Sequence, residues 1–340
     1  MKSPSIYLKD LFSSEASPNR RGERPRPPFW VMVRKEVGDH VRSWRFIVML
    51  VLIFLTFFGT MYVSLANIKQ AVGNLQDPDR TFVYLKLLTV SDGTLPTFHT
   101  FLSFLGPLLG IALGFDAINS EHNNGTLIRL MAQPIYRDNL LLAKFTASLI
   151  VVSVLFLSLA LLMVGGGLLL TGAPLEAVEL ARILAFVALS VVYVGFWLSL
   201  SICFSVRFRN AATSALTAIG IWLFFTVFYQ IVVNLIVNAM LPKGGYLAPE
   251  QLLSYNNLLL SLLRLAPSQL YTDAATTLLM PSVRSLGPLS MERMAGAIPA
   301  PLPLKESLMI VWPQVTGLLA GTTVCFALAY YLFMRKEIRT

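Results

Sequence analysis

Six long apolar runs, at residues 46–66, 98–118, 140–170, 181–205, 212–240 and 308–334, alternate with shorter polar stretches along the chain. A hydrocarbon layer about 30 Å thick is crossed by roughly 20 apolar residues in a helix, so each run is long enough to span a bilayer. The runs are continuous rather than alternating, which predicts helices and argues against barrel strands. The expected fold class is all-α, a polytopic membrane protein with a six-span transmembrane domain over residues 46–340.

Residues 115–144, FDAINSEHNNGTLIRLMAQPIYRDNLLLAK, form a polar island so brief that the spans on either side must cross in opposite directions and meet there. Asn123-Asn124-Gly125 ends the incoming helix, because Gly and Asn tolerate the left-handed backbone of a helix terminus. Thr126 caps a short new helix on which Leu127, Leu130, Met131 and Pro134 share one face, while Arg129 and Gln133 point elsewhere. Pro134 closes that helix, and Asp138 is placed to cap the next span. The element expected within 121–138 is one amphipathic turn and a half along the membrane surface. That shape suits the transfer of a push from a soluble partner to a helix bundle.

Ahead of the first span, residues 1–28 hold too little apolar surface to fold and read as a disordered tail. From Phe29 a helical stripe appears, Trp30, Val33, Val37, Val41 and Trp44, with Arg34, Lys35, Glu36, Asp39, Arg42 and Arg45 on the other faces. Residues 29–45 read either as an interfacial helix in the headgroup layer or as an ordinary basic juxtamembrane anchor. No cleavable signal segment is expected, since the first 45 residues are polar and basic, so the first span serves as an uncleaved anchor.

Within the spans, Asp116 lies near the inner end of the second, where a solvated or paired structural role is expected. Gly165-Gly166-Gly167 in the third allows close helix approach or a local bend. The fourth and fifth runs meet in the tight basic turn Arg207-Phe208-Arg209-Asn210, either a second partner contact or an ordinary cytoplasmic hairpin. Gln230, Asn234 and Asn238 recur every four residues on the fifth run. Their polar stripe must face protein or water, so it either holds helices together or lines a pathway. The region 241–306 predicts two helices, one from Pro249 to about Leu265 that dips into the outer interface, and one from Pro267 to Met280.

With 55% hydrophobic and 13% charged residues and a mean hydropathy of +0.66, a soluble domain of 340 residues is excluded. The net charge of +9 could signal nucleic acid, but its distribution speaks against that. If the N-terminus is cytoplasmic, the inside segments carry 18 of the 27 Lys and Arg and 9 of the 18 Asp and Glu. The whole excess thus lies on one side, the positive-inside pattern, with both termini cytoplasmic and the chain multi-pass in the cell membrane. Cys203 and Cys325 both lie in spans, so they read as packing residues rather than a disulfide or redox pair.

The chemistry that is missing narrows the function. No Gly-x-x-x-x-Gly-Lys-[Ser/Thr] loop is present, so no nucleotide cofactor is expected on this chain. His40, His99 and His122 are scattered, which leaves no metal site, and no Gly-x-Ser-x-Gly nucleophile setting appears. The spans carry almost no carboxylates of the kind that ion-driven carriers use for coupling. An energy source on another chain is the simplest inference, and no enzymatic activity is expected here. The sequon Asn124-Gly125-Thr126 faces the inside and reads as chance.

The order Asp116, Glu121, Gly125-Thr126-Leu127, Leu130, Pro134, Arg137 and Lys144, with the helix at 29–45 and Ala266-Pro267-Ser268-Gln269-Leu270 ahead of the sixth span, resembles the ABC transporter permeases of the type-2 exporter class. The similarity is greatest to the branch serving nitrous-oxide-reductase maturation, and it covers nearly everything after residue 28. It implies a half-transporter that pairs with a second permease copy or a paralogue and associates with two copies of a separate ATP-binding subunit. ATP and Mg would then be bound by that subunit. The helix after Gly125 would be the coupling helix, with Thr126, Leu127, Leu130, Met131 and Pro134 seated in the ATPase and Glu121 and Arg137 flanking it. The segment with Trp30, Val33, Arg34, Lys35, Val37 and Val41 would be the elbow helix, resting on membrane lipids. Export would proceed by alternating access. Two other readings stay open, a non-transporting anchor or signalling component of such a complex and a secondary carrier. Lipid-linked saccharide, peptide, drug, ion and sulfur substrates all fit an apolar bundle with one polar stripe.

Overall fold

The computed structural model describes residues 28–72, 82–91, 93, 95–123, 125, 137–240, 249–281 and 302–335, and every regular element among them is a helix. Helix α1 (Pro28–Arg42) breaks at Ser43 and is followed by α2 (Trp44–Val72). The short α3 (Val83–Thr89) precedes α4 (Phe98–Gly114), and a turn leads to α5 (Asn119–Asn123). Next come α6 (Arg137–Thr171), α7 (Ala177–Arg207) and α8 (Ala211–Leu223), which runs through a π-helical turn (Phe224–Phe228) into α9 (Tyr229–Met240). The last three are α10 (Pro249–Leu263), α11 (Pro267–Leu279) and α12 (Leu304–Arg335). Six stretches are long and apolar enough to cross a membrane: Trp44–Asn67, Phe98–Glu121, Asp138–Thr171, Ala177–Arg207, Ala211–Met240 and Leu304–Arg335. Each contains one of the six apolar runs. Alternating crossings put α1, α5 and the turn after Arg207 at one end of the bundle, and α3 at the other.

α7 is the hub, packed against α4, α6, α8, α11 and α12. Its contact with α4 is set by Gly106, Gly110 and Gly114, which recur every four residues and so line one face of α4. A methyl group on Gly110 would lie 2.7 Å from the carbonyl oxygen of Val194 and 3.0 Å from the nitrogen of Leu198. One on Gly114 would lie 3.0 Å from the carbonyl oxygen of Leu198. The two backbones touch because no side chain separates them, the small-residue contact that replaces hydrophobic driving force in lipid. Pro107, inside α4, deprives the Ser103 carbonyl of its usual helical donor, and the Tyr193 hydroxyl of α7 donates to that carbonyl instead at 2.8 Å. The glycine run in α6 serves close approach. α6 passes through it unbroken, and methyl groups on Gly166 and Gly167 would strike Met61 and Tyr84.

Two expectations are corrected. First, the fourth span carries buried charge. Its helix starts at Ala177, before the apolar run proper, and so includes Glu179 and Arg182, both almost fully buried. The Glu179 carboxylate accepts from the backbone N–H groups of Tyr84 (3.1 Å) and Glu176 (3.4 Å). Arg182 donates to the carbonyls of Leu278 (3.0 Å) and Leu302 (2.5 Å) and to the Ser307 hydroxyl (3.2 Å). These two side chains clamp α3, α11 and α12 onto the first turns of α7.

Second, the helix from Pro249 does more than dip into the interface. α10 returns along α9, with the Tyr255 hydroxyl donating to the Met240 carbonyl (3.1 Å) and the Tyr229 hydroxyl to the Leu262 carbonyl (2.7 Å). α11 then climbs back against α7, where Tyr271 stacks on Tyr193 at 4.3 Å and 12° and its hydroxyl meets Ser190 at 3.0 Å. Tyr193 sits near the midpoint of α7. α10 and α11 are therefore a re-entrant hairpin whose tip, Arg264-Leu265-Ala266, reaches the middle of the bundle. Burial is uneven across the spans: over an 18-residue apolar stretch of each, 61% of the second and of the fourth is buried, against 17% of the fifth and of the sixth. The latter two present open faces.

Candidate functional site

The polar island begins where α5, α1 and the start of α6 converge. α1 lies on α6 through Val33, which packs against Ala143 and Ala147, small residues that let the helix backbones approach. The same buried face of α1 carries Glu36, only 6% exposed, opposite Lys144 of α6, only 5% exposed. Lys144 Nζ donates to Glu36 Oε2 at 2.8 Å and to Glu121 Oε1 of α5 at 3.3 Å. Lys35, at the exposed edge of α1, lies 3.2 Å from Glu36, 3.2 Å from Asp39 and 3.8 Å from Glu121. One buried cation thus holds carboxylates from two separate elements. Such an arrangement withstands burial only when each charge is paired in this way.

Further ties fix the neighbourhood. Asp116, expected to be solvated or paired, forms an ion pair with Arg45, whose guanidinium also lies 4.7 Å from the centre of the Phe115 ring. The Ser205 hydroxyl of α7 accepts from the backbone N–H groups of Ile118 (2.9 Å) and Asn119 (3.3 Å). With its nitrogen turned toward the carbonyls of Ser205 and Phe208, the Asn119 amide reaches them at 2.7 and 2.6 Å. The start of the island is thereby pinned to the Arg207–Asn210 turn, where the Asn210 side chain caps α8 by accepting from Ala212 at 3.0 Å.

His40 closes the cluster. The Ser148 hydroxyl donates to the Lys144 carbonyl at 3.0 Å and lies 3.0 Å from His40 Nε2. With its one proton so used, the hydroxyl accepts from a protonated Nε2. Burial pushes His40 below its ordinary value against the pull of Glu36, and Lys144 adds to the push. The imidazole is accordingly neutral in the fold at neutral pH. As pH falls below about 6.5, the unfolded chain takes up this proton before the folded one does, so stability falls with pH in that range. We expect the thermal midpoint of the purified chain to drop from pH 7.5 to pH 5.5. His40→Gln, which keeps an Nε2 donor toward Ser148, should flatten that slope, and an unaltered slope in the variant would assign the effect elsewhere.

Several of the residues singled out from the sequence can be placed. Glu121 enters the Lys144 cluster. Gly125 adopts φ +66°, the left-handed turn expected after Asn123, which is the last residue of α5. Asp138 lies in the first turn of α6, which opens at Arg137, and its carboxylate accepts from Asn139 at 3.0 Å. Thr126, Leu127, Leu130, Met131 and Pro134 fall outside the described residues, as does the Arg137 side chain. On α1, Val33 is buried and Val37 half-buried, while Trp30, Arg34, Lys35 and Val41 are exposed. Gln230, Asn234 and Asn238 are exposed on α9, where the Asn234 amide donates to the Gln230 carbonyl at 2.8 Å.

Sequence reasoning put Glu36 on a face away from the apolar stripe of 29–45 and gave Lys144 no partner. The signal was present: Glu36 is three residues beyond Val33 and four before His40, hence on the packed face. Among the described residues, no group of three or more His, Cys, Asp and Glu is arranged to hold a metal ion.

A model of the family described as "ABC-2 family transporter protein" matches residues 30–338. Among curated relatives, the "Probable ABC transporter permease protein NosY" of Pseudomonas aeruginosa is 27% identical over 317 residues, covering 92% of this chain and 100% of the relative. A protein of the same name from Stutzerimonas stutzeri is 27% identical over 313 residues, covering 90% of this chain and 98% of the relative.

Proposed function

This chain belongs to the ABC-2 family of transporter proteins, and from that premise we propose that it is the membrane permease of an ATP-driven exporter, coupled to a separate ATP-binding subunit. The full complex would hold two copies of that subunit and a second permease, identical or paralogous. Both termini and the polar island would face the cytoplasm, in keeping with the basic excess on that side. The segment after Gly125 would be the coupling element, and α1 the elbow helix, its exposed Trp30 and Val41 resting in lipid.

The observation that carries this reading is the clasp of Lys144 between Glu121 and Glu36. Glu121 stands immediately before the island's tip, and Glu36 belongs to α1. A displacement of the tip would therefore be felt at once by α1 and by the start of α6, without first melting either helix. The relatives are named as ABC transporter permeases, which fits ATP hydrolysis on another chain and alternating access in this one.

Co-purification tests the assignment. Detergent-extracted chain should bring down an ATP-binding subunit encoded beside it, whereas gradient-driven flux by this chain alone in vesicles would overturn the proposal. Within such a complex, Glu121→Ala or Leu130→Asp should leave insertion and basal ATP hydrolysis intact while cutting ATP-dependent transport at least tenfold. Full transport in both variants would remove the coupling role from this hairpin.

A further inference from the structure

Helices α4 and α7 run in the same direction through the bundle, and the seam between them continues past the point where α4 ends. On α7 it is carried by Val194, Leu198, Ser201, Ser205 and Phe208, spaced alternately four and three residues apart and so aligned on one face. Val194 and Leu198 lie against Gly110, and Leu198 and Ser201 against Gly114. The Ser201 hydroxyl donates to the Ile111 carbonyl at 3.2 Å. Beyond Gly114 the contact passes to Ser205, which accepts from the N–H groups of Ile118 and Asn119, and then to Phe208.

Asn119 closes this seam. It opens α5 and is only 1% exposed. The two carbonyls it faces, those of Ser205 and Phe208, lie where α7 stops, past the bond from the Phe208 N–H to the Phe204 carbonyl. A helix leaves its final carbonyls without internal donors. The Asn119 amide nitrogen reaches these two at 2.7 and 2.6 Å, one N–H for each, so a side chain of the polar island caps the hub helix. Two residues further on, Glu121 bonds Lys144 of α6. The short α5 is therefore held on one side by α7 and on the other by the Lys144 clasp, which reaches α6 and α1. A push on the island's tip has two exits, and the one at Asn119 leads directly into α7. From there it reaches the re-entrant hairpin, whose Tyr271 stacks on Tyr193.

We propose that Asn119 is a positioning residue through which displacement of the polar island passes into α7, in parallel with the Glu121–Lys144 route to α6 and α1. The inference rests on the permease reading and adds a second, separable line of transmission to it. Asn119 acts only through α7. Hydrogen bonds from a buried amide suit this task, since they fix α5 against α7 in direction as well as distance. An apolar contact, being non-directional, would let the two slide.

The test needs no knowledge of the solute. In the co-purified complex, carrying Cys203→Ala and Cys325→Ala, a bimane fluorophore is attached either to Val178→Cys, 43% exposed, or to Val31→Cys, 55% exposed on α1. Val178 stands at the far end of α7, about 40 Å along the helix axis from Ser205. Emission is compared without nucleotide and after trapping with ATP and vanadate. Both labels should respond when Asn119 is intact. Asn119→Leu, which keeps the volume and removes the donors, should cut the Val178 response at least threefold and leave the Val31 response in place. Asn119→Gln, which keeps the donors, should retain more of it. Ser205→Ala should act in the same direction, and it carries the test should Asn119→Leu fail to fold. A general loosening of the fold would dull both labels alike. An undiminished Val178 response in Asn119→Leu and Ser205→Ala, or equal losses at the two labels, overturns the proposal. Silence of both labels with Asn119 intact overturns the permease reading along with it, so the two failures are told apart.

Discussion

Lys144→Met should be the most damaging single change at the polar end of the bundle. It removes the cation between Glu36 and Glu121, whose side chains are only 8% and 12% accessible. Breaking one partner of a buried pair typically costs about 3–5 kcal/mol, because the other charge stays buried without compensation. Helical membrane proteins commonly unfold irreversibly, so the readout is the temperature at which monodisperse protein is lost, together with the yield of folded chain. Glu36→Gln combined with Lys144→Met should recover part of the loss, since the pair then vanishes together. Equal damage in the single and double variants would mean that the cluster contributes little.

Gly110→Ala should come next, from one methyl group. Its Cβ would sit 2.7 Å from the Val194 carbonyl oxygen, 3.0 Å from the Leu198 nitrogen and 3.1 Å from Trp197 Cβ. All three obstacles belong to the backbone of α7 or are rooted in it, so no flexible side chain can swing aside. α4 and α7 must separate, and the expected cost is at the upper end of the roughly 1–3 kcal/mol typical of overpacking. Gly59→Ala is the matched control. Nothing lies within 4 Å of its new methyl group, so its thermal midpoint should stay at or slightly above that of the parent. Equal midpoints for the two variants would show that the spacing of α4 and α7 is not set by glycine.

The six spans were legible because each is a long apolar run, a signal that survives ignorance of every contact. The breaks at Gly125 and before Pro249 and Pro267 were legible for a different reason, since they depend on backbone preferences of single residues. Depth was not. The Leu-rich helix after Pro249 is too polar around Ser254–Asn257 to read as a span, and only its bonds to Tyr229 and Met240 reveal how far it descends. Charge pairing was equally hidden. Glu36 stands among five other ionisable residues within 34–42, so its sequence neighbourhood resembles a solvated face, whereas its partner lies 108 positions away. The glycine spacing of α4 was readable in principle, and the adjacent triplet in α6 drew attention from it.

The open faces of the fifth and sixth spans bear on how such a protein is kept at the right amount. A copy made in excess of its partners would hold the three exposed amides of Gln230, Asn234 and Asn238 against hydrocarbon, and those groups weigh against its residence in lipid. Surplus chains are thus the ones whose helices loosen first, and membrane proteolysis would clear them ahead of assembled ones. Abundance is then set by whichever subunit is synthesised most slowly, with no dedicated regulator required.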